Sequence, residues 1–292
     1  MRAVGFSEIK NRTELKKILQ ESISNSTNSD SLVYKDVHYV EFIKMVSDEI
    51  GLAISGEYDE NGKFLYNYYY PFLKGSQISS REYVFIERHI SKASYLGMIE
   101  DVKVGISIIF YLQNYFDYIN TDNKNIPRSE QRKKISSVRF AGLSTRGRVL
   151  FPIKKNEMQK VTQVRKNNKK HRLIMDAREG NEEAMDSLSI EDIETYRIVS
   201  EKIKNTDIYS LVETTFMPEG LESDLYTFIG IIMDYKKVTN YITQEEIYII
   251  KINCNDIKLD VAINEKDLEG ELKIGRRFKG NIWLQGTVER IN

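Results

Sequence analysis

An Asn-Gly pair, Asn61-Gly62, lies between two β-forming runs and is the clearest structural signal in the chain. The runs are Leu52–Tyr58 and Phe64–Tyr70, and Pro71 ends the second of them. An Asn-Gly dipeptide in this setting is typical of a tight β-hairpin, because both turn residues of such a hairpin need positive φ. The sequence therefore predicts an antiparallel hairpin with Asn61-Gly62 at its tip.

Every second residue of the later run is aromatic, in the order Phe64, Tyr66, Tyr68 and Tyr70. Residues two apart in a regular strand point to the same face, so the four rings are predicted to share one face of the hairpin. Across a two-residue loop they are predicted to oppose, in the same order, Asp59, Glu57, Ser55 and Ala53. Exposed rings of this kind suit stacking on nucleic-acid bases or on sugars. The alternative is a half-buried face covered by a helix, which the spacing predicts at Thr13–Ile23.

A second hairpin is predicted from Val138–Ser144 and Arg148–Ile153, with its turn at Thr145-Arg146-Gly147. Further runs have the composition or the period-two pattern of strands: Ala3–Phe6, Tyr83–Ile90, Val104–Leu112, Tyr226–Tyr235, Ile247–Cys254, Ile257–Ile263 and Phe278–Val288. Between about 167 and 205 the apolar spacing is helical, and Ser189-Ile190-Glu191-Asp192 has the form of an N-terminal cap.

These patterns predict an α+β fold with a strand-rich N-terminal domain containing hairpins, a helical middle segment and a small C-terminal β-barrel. A short helix at Asn264–Leu268, between the third and fourth strands, favours the oligonucleotide/oligosaccharide-binding (OB-like) order, and an SH3-like barrel fits nearly as well. The chain of 292 residues exceeds one average domain. We place a mixed α+β domain at 1–160, a charged helical connector at 161–206 and the small β-barrel at 207–292.

Three stretches of the chain resemble a known protein family: Met1–Ser7, Ile106–Asn114 and the distinctive stretch Gly275–Gly286. The family is an uncharacterised one from anaerobic Gram-positive bacteria and is classed as a domain of unknown function. The resemblance extends over nearly the whole chain. It implies no activity, and it provides no functional residues to carry over.

Recognised catalytic and metal-binding motifs are missing from the sequence. The three histidines, His38, His89 and His171, are far apart and have no metal-ligand spacing. The single cysteine, Cys254, lies in an alternating run and is interpreted as a strand residue rather than a nucleophile. Neither a Gly-x-Ser-x-Gly elbow nor a Gly-x-x-x-x-Gly-Lys phosphate loop occurs. We therefore predict no catalytic residues, no metal and no cofactor, with an enzyme whose site is dispersed along the chain as an alternative.

Charge is balanced over the whole chain but is unevenly placed, with 43 basic and 43 acidic residues. Residues 124–172 contain sixteen Lys or Arg and two acids, whereas residues 173–224 contain fourteen acids and four bases. If the basic block is exposed, it would attract a polyanion such as nucleic acid. If the acidic block docks on it, the two would neutralise each other within the fold.

The candidate polyanion-binding residues come from two parts of the chain. The basic block contributes Arg132, Lys133, Lys134, Lys169, Lys170 and Arg172. The start of the last predicted strand contributes Arg276, Arg277 and Lys279, which surround Phe278 and precede the single tryptophan, Trp283. Basic residues beside an aromatic residue on a strand are typical of a groove that binds nucleic acid.

Together these features predict a non-enzymatic intracellular binding or assembly module, with a protein or a nucleic acid as its partner. A lone cysteine is typical of the reducing cytoplasm, and Met1–Phe6 lacks the apolar core of a signal peptide. The longest apolar run, Val104–Leu112, is shorter than the ~20 residues that span a bilayer. We therefore expect a soluble cytoplasmic protein without a membrane partner, and the sequence does not indicate its oligomeric state.

Overall fold

The structure, a computed structural model, is built mainly from β-strands. It describes residues 1–34, 37–88, 94–101, 106–117, 135–153, 165, 168–169, 172–177, 180–190, 212–220 and 223–290. Within them, helix α1 (Arg12–Ser24) precedes the strands, and residues 172–177 and 182–190 are also helical. In this part of the chain no helix has both the length and the apolar composition needed to cross a bilayer.

Fourteen strands occur in the described residues: β1 (Asn28–Tyr34), β2 (Val37–Met45), β3 (Ile50–Tyr58), β4 (Phe64–Leu73), β5 (Ser80–Arg88), β6 (Tyr95–Asp101), β7 (Ile106–Leu112), β8 (Ile135–Leu150), β9 (Thr215–Pro218), β10 (Leu225–Thr239), β11 (Glu246–Cys254), β12 (Ile257–Asn264), β13 (Leu268–Glu269) and β14 (Arg277–Arg290). They form two sheets. Strands β1 to β4 make a four-stranded antiparallel sheet, and the others make a ten-stranded sheet.

The predicted hairpin at Asn61-Gly62 is confirmed as the antiparallel pair β3–β4. Its turn is longer than two residues, because the Asp59 backbone N–H donates to the Lys63 carbonyl at 3.0 Å. The Asp59 carboxylate also accepts hydrogen bonds from the Asn61 and Lys63 backbone N–H groups, at 2.9 and 2.8 Å. Gly62 has a φ of 73°, whereas Asn61 does not need positive φ in this wider turn.

Helix α1 confirms the helix predicted at Thr13–Ile23 and lies on the four-stranded sheet. Asn11 caps it, because its side-chain oxygen accepts a hydrogen bond from the Glu14 backbone N–H at 2.9 Å. Ile18 packs against the apolar cluster that contains Ile50 and Leu52 of β3. The helix therefore covers one end of this sheet.

The ten-stranded sheet closes on itself through a long central pair, β8 and β14. One half of this pair forms a ring of five strands with β5, β6 and β7, and the other half forms a ring with β10, β11 and β12. Strand β9 extends the sheet beyond β10. The main apolar core fills both rings, with Phe110 and Phe140 from the first and Phe228 and Ile252 from the second.

The two sheets meet along the face of the four-stranded sheet that carries Ala53, Tyr70 and Phe72. Tyr70 and Phe72 of β4 pack there with Tyr111 of β7, and the ring of Trp283 lies 5.1 Å from that of Tyr111. The Gln285 side chain of β14 donates a hydrogen bond to the Pro71 carbonyl at 2.8 Å. Apolar packing and a hydrogen bond from a side chain to the backbone thus both join the sheets.

The predicted fold class is wrong. Strands from before residue 151 and after residue 214 alternate in one sheet, so residues 207–292 do not close into a small OB-like or SH3-like barrel of their own. The physical reason is strand length: β8, β10 and β14 have 16, 15 and 14 residues, and β14 pairs with β8 along nearly its whole length. A helical middle segment is not shown either, since its described helical residues are only 165, 168–169, 172–177 and 182–190. The proposed boundaries at 160/161 and 206/207 fall outside the described residues and stay a prediction.

Two local predictions are also wrong. Strand β8 runs straight through the turn predicted at Thr145-Arg146-Gly147. A Cβ at Gly147 would lie 2.7 Å from a ring carbon of Phe278 and 2.8 Å from a methyl carbon of Ile263, so this glycine permits close packing rather than a turn. The strand predicted at Ala3–Phe6 is a 3₁₀ turn at Arg2–Val4.

Candidate functional site

The basic block predicted to bind polyanions is only partly within the described residues. Lys169 and Arg172 are exposed on helical residues. Four members lie outside the described residues: Arg132, Lys133, Lys134 and Lys170. Two other bases of the block form ion pairs, Arg139 with Glu289 at 2.9 Å and Arg148 with Glu269 at 2.5 Å. Both acids belong to the C-terminal strands rather than to the acidic block, and docking between the blocks stays a prediction.

The three basic residues at the start of β14 occupy different environments. Arg277 is 4% exposed, and its guanidinium donates hydrogen bonds to the carbonyls of Phe151 and Val212 at 2.9 and 2.6 Å. The guanidinium of Arg276 lies over the Phe151 ring at 5.2 Å and donates to the Glu271 carbonyl. Lys279 is half-buried. These contacts hold Arg277 within the fold, and binding of a polyanion by the three residues stays a prediction.

The four alternating aromatic residues of β4 do not share one face, so that prediction is wrong. A β-bulge shifts the register, because Ser55 pairs with Tyr68 while the next residue, Gly56, pairs with Tyr66. The predicted opposition is correct for Tyr68 and Tyr70, which face the large sheet. It is wrong for Phe64 and Tyr66, which lie on the other face opposite Tyr58 and Gly56.

The bulge produces a surface that we call the aromatic face, on the side of the four-stranded sheet turned away from the large sheet. It consists of His38, Phe42, Tyr58, Phe64, Tyr66 and Tyr69. Directly opposed residues share a face, so the register defines three rows across the four strands. The rows are Val33–His38–Tyr58–Phe64, Ser31–Val40–Gly56–Tyr66 and Ser29–Phe42–Ile54–Tyr69.

The rings of the aromatic face contact one another. The centroid of Tyr58 lies 5.3 Å from His38 and 5.8 Å from Phe64, with interplanar angles of 41° and 67°. The Phe64 ring also lies over Gly56, where a Cβ would come within 2.7 Å of a ring carbon. Tyr66 remains 47% exposed, and none of the residues in the three rows is Asp, Glu, Lys or Arg.

A buried carboxyl group, Glu41, lies on the opposite side of the same strands. Its Oε1 accepts a hydrogen bond from Ser55 Oγ at 2.6 Å, and its Oε2 accepts one from the Tyr70 hydroxyl at 3.3 Å. The Tyr115 hydroxyl donates in turn to Ser55 Oγ at 3.2 Å. Burial raises the pKa of Glu41 to about 7, and the hydrogen bonds from Ser55, Tyr70 and Tyr115 oppose that rise. The carboxyl group can exchange a proton near neutral pH, but it is only 3% exposed, so a ligand in solution cannot reach it.

A small pocket of about 80 Å³ opens between the two sheets, and charged side chains line it. Most of these charges already have partners. Lys236 pairs with Glu49 at 2.6 Å and Lys251 with Asp234 at 3.6 Å. The buried Asp260 carboxylate accepts a hydrogen bond from the Ser76 backbone N–H at 2.5 Å. The Lys236–Glu49 ion pair links β10 of the large sheet to the turn between β2 and β3.

Among the residues that the structure describes, the other chemically active side chains do not converge on a site. His38 belongs to the aromatic face, while His89 and His171 lie outside the described residues. Cys254 is confirmed as a strand residue. It is also buried, and burial raises the pKa of its thiol to about 12. Groups of His, Cys, Asp and Glu that would hold a metal ion do not occur in the part of the chain that the structure describes.

Sequence reasoning missed both Glu41 and the composition of the aromatic face. The signal for Glu41 was a carboxylate inside the apolar run Tyr39–Ile43, where a charged residue at a core-facing position is unusual. His38, Phe42 and Tyr58 could have been assigned to the face only from the strand register, which local patterns do not supply.

Comparison with known proteins identifies a family and no function. A family model described as "Domain of unknown function, E. rectale Gene description (DUF3881)" matches residues 1–286. No curated protein and no solved structure matches the chain.

Proposed function

Because the chain belongs to DUF3881, a family described as a domain of unknown function, we propose its function from its own surface: it is a non-enzymatic binding module that holds its ligand on the aromatic face. The observation that carries this proposal is the cross-strand row His38–Tyr58–Phe64 with the exposed Tyr66 beside it. Large aromatic side chains supply much of the binding energy of recognition surfaces, because each ring removes a large area from water at a small entropic cost.

The aromatic face is held rigidly, which favours binding. Its rings lie on three strands that pair with one another over their length, rather than on loops. The back of the same sheet is fixed to the large sheet through Tyr70, Phe72 and Tyr111. A site whose side chains are positioned before the ligand arrives loses less entropy on binding.

The position of the reactive groups supports a non-enzymatic role. Glu41, whose pKa of about 7 would suit proton transfer, is buried under the sheet on the side opposite the aromatic face. Cys254 is buried in β11, and its raised pKa keeps the thiol protonated. Neither group can touch a ligand that lies on the rings.

The experiment is a binding screen of the whole chain by isothermal titration calorimetry against three probe classes. These are a 20-residue thymidine oligonucleotide, neutral hexasaccharides and an apolar 12-residue peptide. Tyr66→Ser removes the most exposed ring of the face. Tyr83→Ser is the matched control, because Tyr83 lies on β5 and is also 47% exposed.

We expect at least one probe class to bind the parent protein, to bind Tyr66→Ser at least about tenfold more weakly, and to bind Tyr83→Ser unchanged. Binding that both variants retain would overturn the proposal, as would no binding by any class. The result would instead favour nucleic-acid binding through the basic block if the affinity for the oligonucleotide is unchanged in Tyr66→Ser but falls steeply between roughly 50 and 200 mM salt.

A further inference from the structure

The aromatic face carries no formal charge from acidic side chains, lysine or arginine. Its three rows contain aromatic, aliphatic, serine and glycine residues, and His38 is their one basic side chain. Nucleic-acid binding draws much of its free energy from Lys and Arg contacts to phosphate, so this face lacks the main attraction for a polyanion. The composition favours a neutral ligand.

A folded protein partner is the main alternative, because the centre of a protein interface is also rich in aromatic residues and depleted of charge. Protein interfaces draw their apolar area from a wide patch, whereas Val33 is the one exposed aliphatic side chain at the edge of these rows. The face instead combines rings with the hydroxyl groups of Ser29, Ser31 and Tyr66.

Sugars match both the lack of charge on the aromatic face and its combination of rings with hydroxyl groups. A pyranose ring presents C–H groups that pack on an aromatic ring, and its hydroxyl groups hydrogen-bond to tyrosine and serine hydroxyls. The rings of His38, Tyr58 and Phe64 follow one another at 5.3 and 5.8 Å and are tilted by 41° and 67°. Because neighbouring rings of the row are not coplanar, the row disfavours stacking of a flat nucleic-acid base. It suits an oligosaccharide whose successive sugar rings are tilted relative to one another.

We infer that the ligand of the aromatic face is a neutral carbohydrate chain lying across strands β2, β3 and β4, an inference that rests on the proposed function. The chain stacks on the row His38–Tyr58–Phe64, and Tyr66 and Tyr69 hold it from the side. A monosaccharide would contact a single ring of the row, so affinity rises with the number of sugar units.

The test is a titration of the protein with cello-, xylo-, malto- and laminari-hexaoses, their monosaccharides, polygalacturonate as a charged glycan, the oligonucleotide and the peptide. We expect at least one neutral hexasaccharide to bind, and its affinity to change less than about twofold between 50 and 500 mM salt, because no ions are released. Tyr66→Ser and Tyr69→Ser should each weaken it at least about tenfold, whereas Tyr83→Ser should leave it unchanged. Near-UV circular dichroism verifies that each variant is folded.

The two proposals fail in different ways. If the oligonucleotide or the peptide binds and loses affinity in Tyr66→Ser, while no neutral hexasaccharide binds, the carbohydrate inference is overturned and the binding module stands. If only polygalacturonate binds through Tyr66, the inference of a neutral ligand is overturned. If no probe depends on Tyr66, both proposals are overturned.

Discussion

Ser55 Oγ donates a 2.6 Å hydrogen bond to Glu41 Oε1 across the β2–β3 pair, inside the joint between the two sheets. The two residues are directly opposed in the register, and each is 3% exposed. Burial of the carboxyl group disfavours its charged form more than the surrounding hydroxyl groups favour it, so the pKa of Glu41 is raised to about 7. The joint therefore contains a group that ionises near neutral pH.

Ionisation of Glu41 is predicted to destabilise the protein as the pH rises. The folded state holds this proton up to about pH 7, whereas the unfolded state releases it near the ordinary pKa of 4.5. Between these values the folded state binds more protons, so the free energy of unfolding falls with rising pH, by about 3 kcal/mol in total. Urea unfolding at pH 5, 6, 7 and 8 measures the slope.

Glu41→Gln is the variant that isolates this effect, because glutamine resembles the protonated acid in shape and does not ionise. We expect it to match the parent near pH 5 and to be more stable near pH 8. Ser55→Ala removes a hydrogen bond that favours the charged form, so the decline should extend to higher pH. A Glu41→Gln profile parallel to that of the parent would contradict the prediction.

Arg277 is predicted to contribute to stability rather than to ligand binding. Arg277→Gln should lower the free energy of unfolding by about 2–3 kcal/mol, because the charged hydrogen bonds to the Phe151 and Val212 carbonyls are lost. Arg276→Gln, at the neighbouring position over the Phe151 ring, should cost less than about 1 kcal/mol. Equal losses in chemical denaturation of the two variants would count against this assignment.

Gly97 is predicted to be required because the ring of Phe110 occupies the place of a side chain. The two residues are directly opposed in the β6–β7 pair, and a Cβ at Gly97 would collide with that fully buried ring. Gly97→Ala should lower the free energy of unfolding by about 1–3 kcal/mol through overpacking. Gly220→Ala is the control, since its nearest neighbouring atom would be 4.0 Å away, and it should change thermal stability little.

The Cys254 thiol is predicted to be unreactive in the folded protein. It is buried, its Sγ donates toward the Ile229 carbonyl at 3.3 Å, and its pKa is raised to about 12. Because the thiolate is the reactive form, a chromogenic disulfide reagent at pH 8 should react about a hundredfold more slowly than in urea. Rapid labelling without denaturant would show that this strand opens in the native state.

Local sequence patterns predicted the individual strands better than their arrangement. The runs at Tyr226–Tyr235, Ile247–Cys254 and Ile257–Ile263 were correctly assigned to β10, β11 and β12, because a half-buried strand imposes period two on its own residues. Their partners were not encoded locally. Strand β8 was divided into a hairpin at Gly147, because a glycine that admits the Phe278 ring looks the same in sequence as a glycine that turns the chain.

The sequence by itself determined the β3–β4 hairpin, helix α1, the place of Cys254 in a strand and the family. Only the tertiary structure decided which residues form the candidate site. A single-residue bulge opposite Ser55 and Gly56 sends Tyr66 to the aromatic face and Tyr68 to the buried joint, although both follow the same alternation. The physical reason is that alternation fixes the face of each residue relative to its neighbours, whereas a bulge inverts that relation for every residue beyond it. Its position depends on cross-strand packing, here the Phe64 ring over Gly56.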